Sequence, residues 1–543
     1  MQERIQMQER SCLVYKLLSN HKIKTMKNII KSKNLALALS SIVLLGSCSD
    51  ELLDQENNNA TSTANFGTSI AQVESAVNGA FHPITDTFFW GRIVHTGALL
   101  RSDEFNVFPF GSNTAMSTLQ GNPGDRWATE PFQQLYKSIA RCNNIITNVN
   151  EEGIADTEVR NNLVGQAYFL RAFDYWYLLN LYGSVPLITE LPDLDNLLVD
   201  QASPEAIWAQ IIADLEIAEQ MLPETWDGGN LGRPTSGAAT ALKGKSYLYM
   251  KEYPLAIEAF QSLVGRYSLL PSEQYADNFT TTNENNQESI FELQFLGQTT
   301  FIWGTDIPGT GTMGNFLIDY APPTKSPDQS HVVNPWLKDL FESNGDMVRR
   351  NETLVYDYPG ALGYGGSDYL KDFAGDIEVA NDANVEPIFS KKYAGLDLGT
   401  RDQVDDLGTN VGNNWRIIRY ADVLLMLAEA LNENNQPALA GPFVDEVRVR
   451  AGISTITDLN LSQADMRQAI IDERAMELAG EGHRFFDLVR WGLADDYLGA
   501  SSLHGAHPKS LSGGVFETGK HELIWIPSSE LDANPNLVQN PGY

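Results

Sequence analysis

The 543-residue chain is acidic, with 38 lysine and arginine residues against 70 aspartate and glutamate residues and a formal net charge of −32. A surface of this charge repels phosphate backbones, which argues against nucleic acid as a partner. The three cysteines do not indicate a disulfide framework, because a chain of this length can bury a core large enough to fold without one.

The first predicted element is an export signal. Basic residues within 27–33 precede an apolar run that ends at Leu45, and the small residues Gly46 and Ser47 lead into Cys48. The apolar run is too short to span a bilayer stably. The ending resembles a bacterial lipobox, which implies cleavage before Cys48 and acylation of that residue, with palmitate among the chains. Several acyl chains on one residue hold a domain at a membrane surface.

The segments on either side of this signal are polar. Residues 1–25 would delay the basic region, so we take Met26 as the true start and 1–47 as the signal peptide. Residues 48–64 are rich in Asp, Asn and Thr, and they predict a lipidated, flexible tether.

Helical periodicity dominates residues 65–264, which we assign as an N-terminal helical region. Residues 162–183 predict a long helix rich in aromatic residues that stops at Gly183. Residues 235–253 and 254–264 resemble a tetratricopeptide helical hairpin, in which small side chains let two helices approach closely.

Residues 265–543 form the second predicted region. Gly, Asn, Asp, Thr and Tyr are dense over 265–412, which predicts loops with short strands, and long loops on a rigid scaffold usually carry function. Helical periodicity resumes over 413–500, and the turn-rich residues 501–543 predict an extended tail. The predicted fold class is therefore mainly α, with tetratricopeptide-like helical pairs as a scaffold and a loop-rich ligand-binding side that contains short β-strands.

Four segments carry a resemblance to a known family. They are residues 168–187, 419–430, 447–452 together with 473–492, and 526–543. Their order and motifs resemble the SusD/RagB family of nutrient-binding outer-membrane lipoproteins. The resemblance implies an oligosaccharide ligand, a SusC-like TonB-dependent barrel as partner, and a surface-exposed, lipid-anchored position on the cell outer membrane.

Alternating charges in the third segment are interpreted as structural. At helical spacing they can pair one helix with another, and nothing nearby supplies a nucleophile or a set of metal ligands. These residues are Arg474, Glu477, Glu481, Arg484, Asp487 and Arg490. We therefore assign no catalytic residue, no metal ligand and no cofactor, and leave a structural calcium open.

A sugar site needs exposed flat aromatic rings together with polar partners. Aromatic residues in glycine- and asparagine-rich loops fit this need better than those on helices. The candidate glycan-binding residues are Trp90, Arg92, Asp103, Trp303, Asn315, Tyr320 and Tyr393.

The predicted function is non-catalytic capture of a glycan for a TonB-dependent importer. The alternative is a peptide-binding, RagB-like nutrient receptor. A surface glycosidase and a purely structural helical scaffold are the two further hypotheses. The sequence does not name the glycan.

Overall fold

The structure is a computed structural model. It describes residues 66–108, 116, 118–191, 197–295, 320, 330–361, 368–382, 386–394, 412–504 and 514–543. The predicted signal peptide and tether, with Cys48, and the candidate residues Trp303 and Asn315 lie outside the described residues.

Helices dominate the described chain, which confirms the mainly α prediction. The helices are α1 Ile70–Thr85, α2 Ile93–Arg101, α3 Arg126–Asn148, α4 Thr157–Tyr182, α5 Pro204–Met221, α6 Ser236–Tyr249, α7 Tyr253–Gln261, α8 Pro335–Asn344, α9 Met347–Thr353, α10 Tyr369–Asp372, α11 Ala374–Asp382, α12 Tyr420–Glu433, α13 Pro437–Arg450, α14 Gln463–Leu478, α15 Arg484–Trp491, α16 Ala494–Leu498 and α17 Ser528–Ala533. The strands are β1 Phe105–Phe108, β2 Ser289–Leu293, β3 Ser330–Val333, β4 Leu354–Val355, β5 Phe389–Ser390 and β6 Trp415–Arg419.

Local signals set several helix ends. The Ser203 side chain accepts a hydrogen bond from the backbone N–H of Ala206, and Pro204 occupies the first position of α5. Helix α4 stops at Gly183, whose φ of +72° favours glycine. The Ser462 side chain caps α14 by accepting a hydrogen bond from the backbone N–H of Asp465, as in a capping box.

The scaffold is a continuous stack of helices. Helix α1 packs on α3, α3 on α4, α4 on α5, α5 on α6 and α6 on α7. Helix α7 then packs on α12, which packs on α13 and α14. In the α6–α7 pair a Cβ on Gly244 would lie 2.6 Å from the Phe260 ring, so only glycine permits this approach. The predicted tetratricopeptide-like hairpin is confirmed.

Two small sheets lie beside this stack. The first has the strand order β1-β3-β5-β4, and its neighbouring strands are antiparallel. The second pairs β2 with β6, placing Phe291 opposite Ile418. Residues 417–419 follow a helical pattern in the sequence but belong to β6, because pairing with β2 overrides the local propensity. Helices α8, α9 and α11 add to the loops and short strands expected over 265–412.

Residues 521–543 close against the N-terminal helices. The Asn540 side chain donates hydrogen bonds to the carbonyls of Tyr182 and Ile524. The Arg101 guanidinium donates to the carbonyls of His521 and Leu523. The described chain from Phe66 to Tyr543 forms one compact unit, and the predicted division between 264 and 265 stays a prediction.

The core contains most of the helical aromatic residues. Tyr175 and Trp176 are buried, as their helical spacing predicts, and Cys142 is a buried free thiol on α3. Within the described residues, no helix combines the length and the apolar character that crossing a membrane requires.

Candidate functional site

Three of the predicted site residues converge on one buried tryptophan. The Tyr393 ring stacks on Trp415, with centroids 3.9 Å apart and planes 11° from parallel. Tyr320 and Trp90 approach the same indole edge-on, with centroids at 5.8 and 6.2 Å. Trp415 opens β6, so the sheet fixes the position around which these rings gather. We call these four residues the aromatic cluster.

The aromatic cluster is closed to solvent. Trp90 is 4% exposed, Tyr393 1%, and Tyr320 and Trp415 are fully buried. Phe89 and Tyr177 pack around Trp90, with Tyr177 at 5.1 Å between centroids. The expectation that Trp90, Tyr320 and Tyr393 present open ring faces is therefore wrong. Neighbouring side chains cover these ring faces, although the position of the residues in loop-like sequence suggested exposure.

Arg92 and Asp103 are buried as well, so the expectation of solvent-facing polar partners is also wrong for them. Arg92 is 6% exposed and precedes α2. Asp103 is fully buried, and its two carboxylate oxygens accept from Nε and Nη2 of Arg484, each at 2.9 Å. His504 Nδ1 lies 3.0 Å from Oδ2 of the same carboxylate.

The electrostatics of Asp103 follow from this pairing. Burial alone would raise its pKa, but the Arg484 charge and the hydrogen bonds from His504 and Arg484 outweigh burial and hold the pKa well below its usual range. Asp103 is thus an ionised anchor for Arg484. Its oxygens are already engaged, which suits a structural role better than direct contact with a sugar.

The predicted charge network is confirmed as a set of buried ion pairs that join helices to one another and to strand β6. Arg419 of β6 pairs with Glu288, Glu477 and Glu481. Arg349 of α9 also reaches Glu477, at 2.9 Å. The remaining pairs join Arg474 to Asp422 and Asp487, Arg490 to Glu429 and Asp487, and Lys392 to Glu481.

Open cavities bring together groups for which the sequence analysis predicted no binding role. A cavity of about 230 Å³ between α1 and β2 is lined by Phe81, His82, Arg233 and Gln294, among others. A second cavity, of about 340 Å³, lies where α8, α14 and α16 meet. Trp336, Asp472, Arg484 and His504 line it, and we call it the α8–α14 cavity. No local motif marks either cavity, because each combines residues far apart in the chain.

A third opening is a groove of about 720 Å³ between α3 and residues 530–537. Its lining is mainly apolar, and the exposed side chains of Leu197 and Leu198 lie along it. Among the residues that the structure describes, no group of three His, Cys, Asp or Glu side chains could hold a metal ion.

The fold defines a class of protein: a helical-repeat scaffold bearing loops and short sheets on one stretch of chain. Comparison with known proteins specifies the class further. Residues 287–543 match the sequence model described as "SusD family", and residues 51–248 match "Starch-binding associating with outer membrane". The chain belongs to the SusD/RagB family.

Individual relatives agree with this assignment. The SusD-like protein P25 of Formosa agariphila is 27% identical, over 95% of this chain and 100% of its own length. A solved structure titled "Laminarin binding SusD-like protein" is 27% identical, with a TM-score of 0.70, covering 87% of this chain and 99% of that one. A SusD superfamily structure from Bacteroides vulgatus, 24% identical, shares the fold with a TM-score of 0.72, covering 88% of this chain and all of that one.

Proposed function

We propose that this protein is a non-catalytic, cell-surface glycan-binding lipoprotein. It captures an oligosaccharide or polysaccharide for a SusC-like TonB-dependent transporter. The acyl chains of Cys48 tether the protein to the outer membrane in which that transporter lies. The supporting observation is the likeness, over nearly the whole of both chains, to a SusD-like protein whose title gives laminarin as its ligand.

The charge of the chain narrows the ligand class. A formal net charge of −32 disfavours sulfated or uronate polymers, since like charges repel across the encounter surface. A neutral polysaccharide meets no such barrier. Neutral glucans are therefore the first ligands to test.

The two remaining candidate residues carry the proposed contact with the sugar. The buried rings of Tyr320 and Tyr393 pack on Trp415 and serve the fold. Trp303 and Asn315 lie outside the described residues, and we propose that they contact the glycan.

Isothermal titration of residues 49–543 against soluble neutral glucans, with alginate as an anionic control, tests the proposal. We expect a neutral glucan to bind and Trp303→Ala to weaken binding tenfold or more. Trp208→Ala, which alters a half-buried tryptophan on scaffold helix α5, should leave binding unchanged. Binding of peptides but of no glycan would favour the RagB-like alternative, and release of sugar by the purified protein would overturn the non-catalytic assignment.

A further inference from the structure

The α8–α14 cavity has a defined floor. Arg484 is 4% exposed and lines the cavity, with Nε and Nη2 held by Asp103. Among the described residues, nothing accepts a hydrogen bond from its remaining nitrogen, Nη1. A buried guanidinium N–H without an acceptor is costly. Nη1 is itself closed to water, so a ligand oxygen reaches it only when the side chains lining the cavity shift, and that contact would then be favourable.

The cavity has aromatic walls. The Trp336 and His504 rings stack with centroids 4.0 Å apart and planes 21° from parallel. Tyr497 meets His504 edge-on at 4.9 Å, and its ring lies 4.8 Å from the Arg484 guanidinium carbon. Trp336 Nε1 donates to the Asp103 carbonyl at 2.7 Å, which holds the indole in place. The walls are therefore prearranged by contacts to the same residues that hold the floor.

The rim supplies acceptors and donors. Asp339 and Ser343 of α8 face Gln468 and Asp472 of α14 across the opening. The Asp472 carboxylate accepts from the Gln468 amide at 2.8 Å. The Asp339 side chain is 70% exposed, and its Oδ1 lies 3.8 Å from the Lys338 ammonium, so the carboxylate stays accessible to an incoming group beside this ion pair.

These groups select one ligand chemistry. Asp103 already neutralises Arg484, and Lys338 partly offsets Asp339. Asp472 therefore gives the cavity a net negative charge, which disfavours an anion. An ammonium group offers no acceptor to Nη1 of Arg484. A neutral polyhydroxylated ring supplies acceptors to the guanidinium, donors to the carboxylates and apolar C–H faces to the aromatic walls.

We propose that the α8–α14 cavity is a second carbohydrate subsite, which binds a single neutral pyranose unit. It goes beyond the proposed function, because it shares no residue with the aromatic cluster or with Trp303 and Asn315. The cavity volume of about 340 Å³ accommodates one such ring. A ligand of this size held without a long chain should bind with a Kd of about 1 mM.

Saturation-transfer NMR on residues 49–543 tests the subsite, with glucose, galactose and mannose as neutral probes, glucuronate as the anion and glucosamine as the cation. We expect at least one neutral hexose to bind with a Kd in the millimolar range and glucuronate to bind at least tenfold more weakly. Ser343→Trp adds a large ring at an exposed rim position and should abolish the signal. Asp472→Asn should weaken it two- to fivefold.

Two control variants alter exposed residues outside the cavity. Ser454→Trp and Asp458→Asn make the same chemical changes and should leave hexose binding unchanged. Titration of Ser343→Trp with polysaccharide separates this subsite from the proposed main site. The variant should still bind the polysaccharide, because the substitution does not alter the main site. Absence of binding by all three neutral hexoses, equal binding in Ser343→Trp, or preference for glucuronate or glucosamine would each overturn the proposal.

Discussion

Replacing Glu104 with glutamine should change how the stability of this protein depends on pH. Glu104 lies between Asp103 and β1, is 1% exposed, and its Oε2 has no hydrogen-bond partner among the described residues. Burial raises its pKa to about 8, and the neighbouring Asp103 charge adds to this effect. Arg484 and Lys392 oppose the rise without cancelling it.

The sign of the pH effect follows from proton linkage. The folded pKa lies above the unfolded value of 4.5, so the folded state keeps a proton that the unfolded chain releases. The resulting stabilisation is fully present below pH 4.5 and is lost as the pH rises to about 8. At about 1.4 kcal/mol per pH unit, the loss over this window is about 4–5 kcal/mol.

Urea denaturation at intervals from pH 4.5 to 9 measures this contribution. In Glu104→Gln the side chain at position 104 no longer titrates. The difference in unfolding free energy between wild type and variant should therefore follow the calculated loss as the pH rises and should become constant above pH 8. A constant offset of about 1–3 kcal/mol from an unsatisfied amide would not alter that slope. Glu216→Gln, on the exposed face of α5, is the matched control. Parallel pH profiles for wild type and Glu104→Gln would refute the reasoning.

Three further changes test other parts of the structure. Trp415→Ala removes the centre of the aromatic cluster and should lower the unfolding free energy by about 3–5 kcal/mol in urea denaturation; an unchanged midpoint would contradict the packing described. Arg419→Leu removes the cation that pairs with Glu288, Glu477 and Glu481 and leaves Arg349, Arg450 and Lys392 to compensate these carboxylates. It should cost about 3–5 kcal/mol at neutral pH by the same measurement, and an unchanged unfolding free energy would show that the remaining cations are sufficient. Cys48→Ser should move the protein from the membrane fraction to the soluble fraction, and retention at the membrane would argue against acylation at this residue.

Local signals in the sequence predicted the scaffold well. Several helix ends depend on contacts between residues no more than four positions apart, so they can be predicted without knowing the fold. The examples are Ser203 with Pro204, Gly183 and Ser462. The α6–α7 hairpin was similarly visible from its small residues.

The site was less accessible to such reasoning. Trp90 and Tyr393 sit in turn-rich sequence, yet both are buried against Trp415, which lies 325 residues beyond Trp90 and 22 beyond Tyr393. The local composition indicates a loop, but it does not show which distant residues pack against the side chains of that loop. The α8–α14 cavity likewise depends on Trp336 meeting Arg484, a pairing for which the chain carries no local motif.

The closure of residues 521–543 over the N-terminal helices bears on the proposed export of the protein. Asn540 completes hydrogen bonds to Tyr182, and Arg101 depends on the carbonyls of His521 and Leu523. The N-terminal helices therefore lack these contacts until residues 521–543 have been synthesised. We expect the emerging chain to stay open enough for threading through a secretion channel, and the fold to lock only after this segment has crossed.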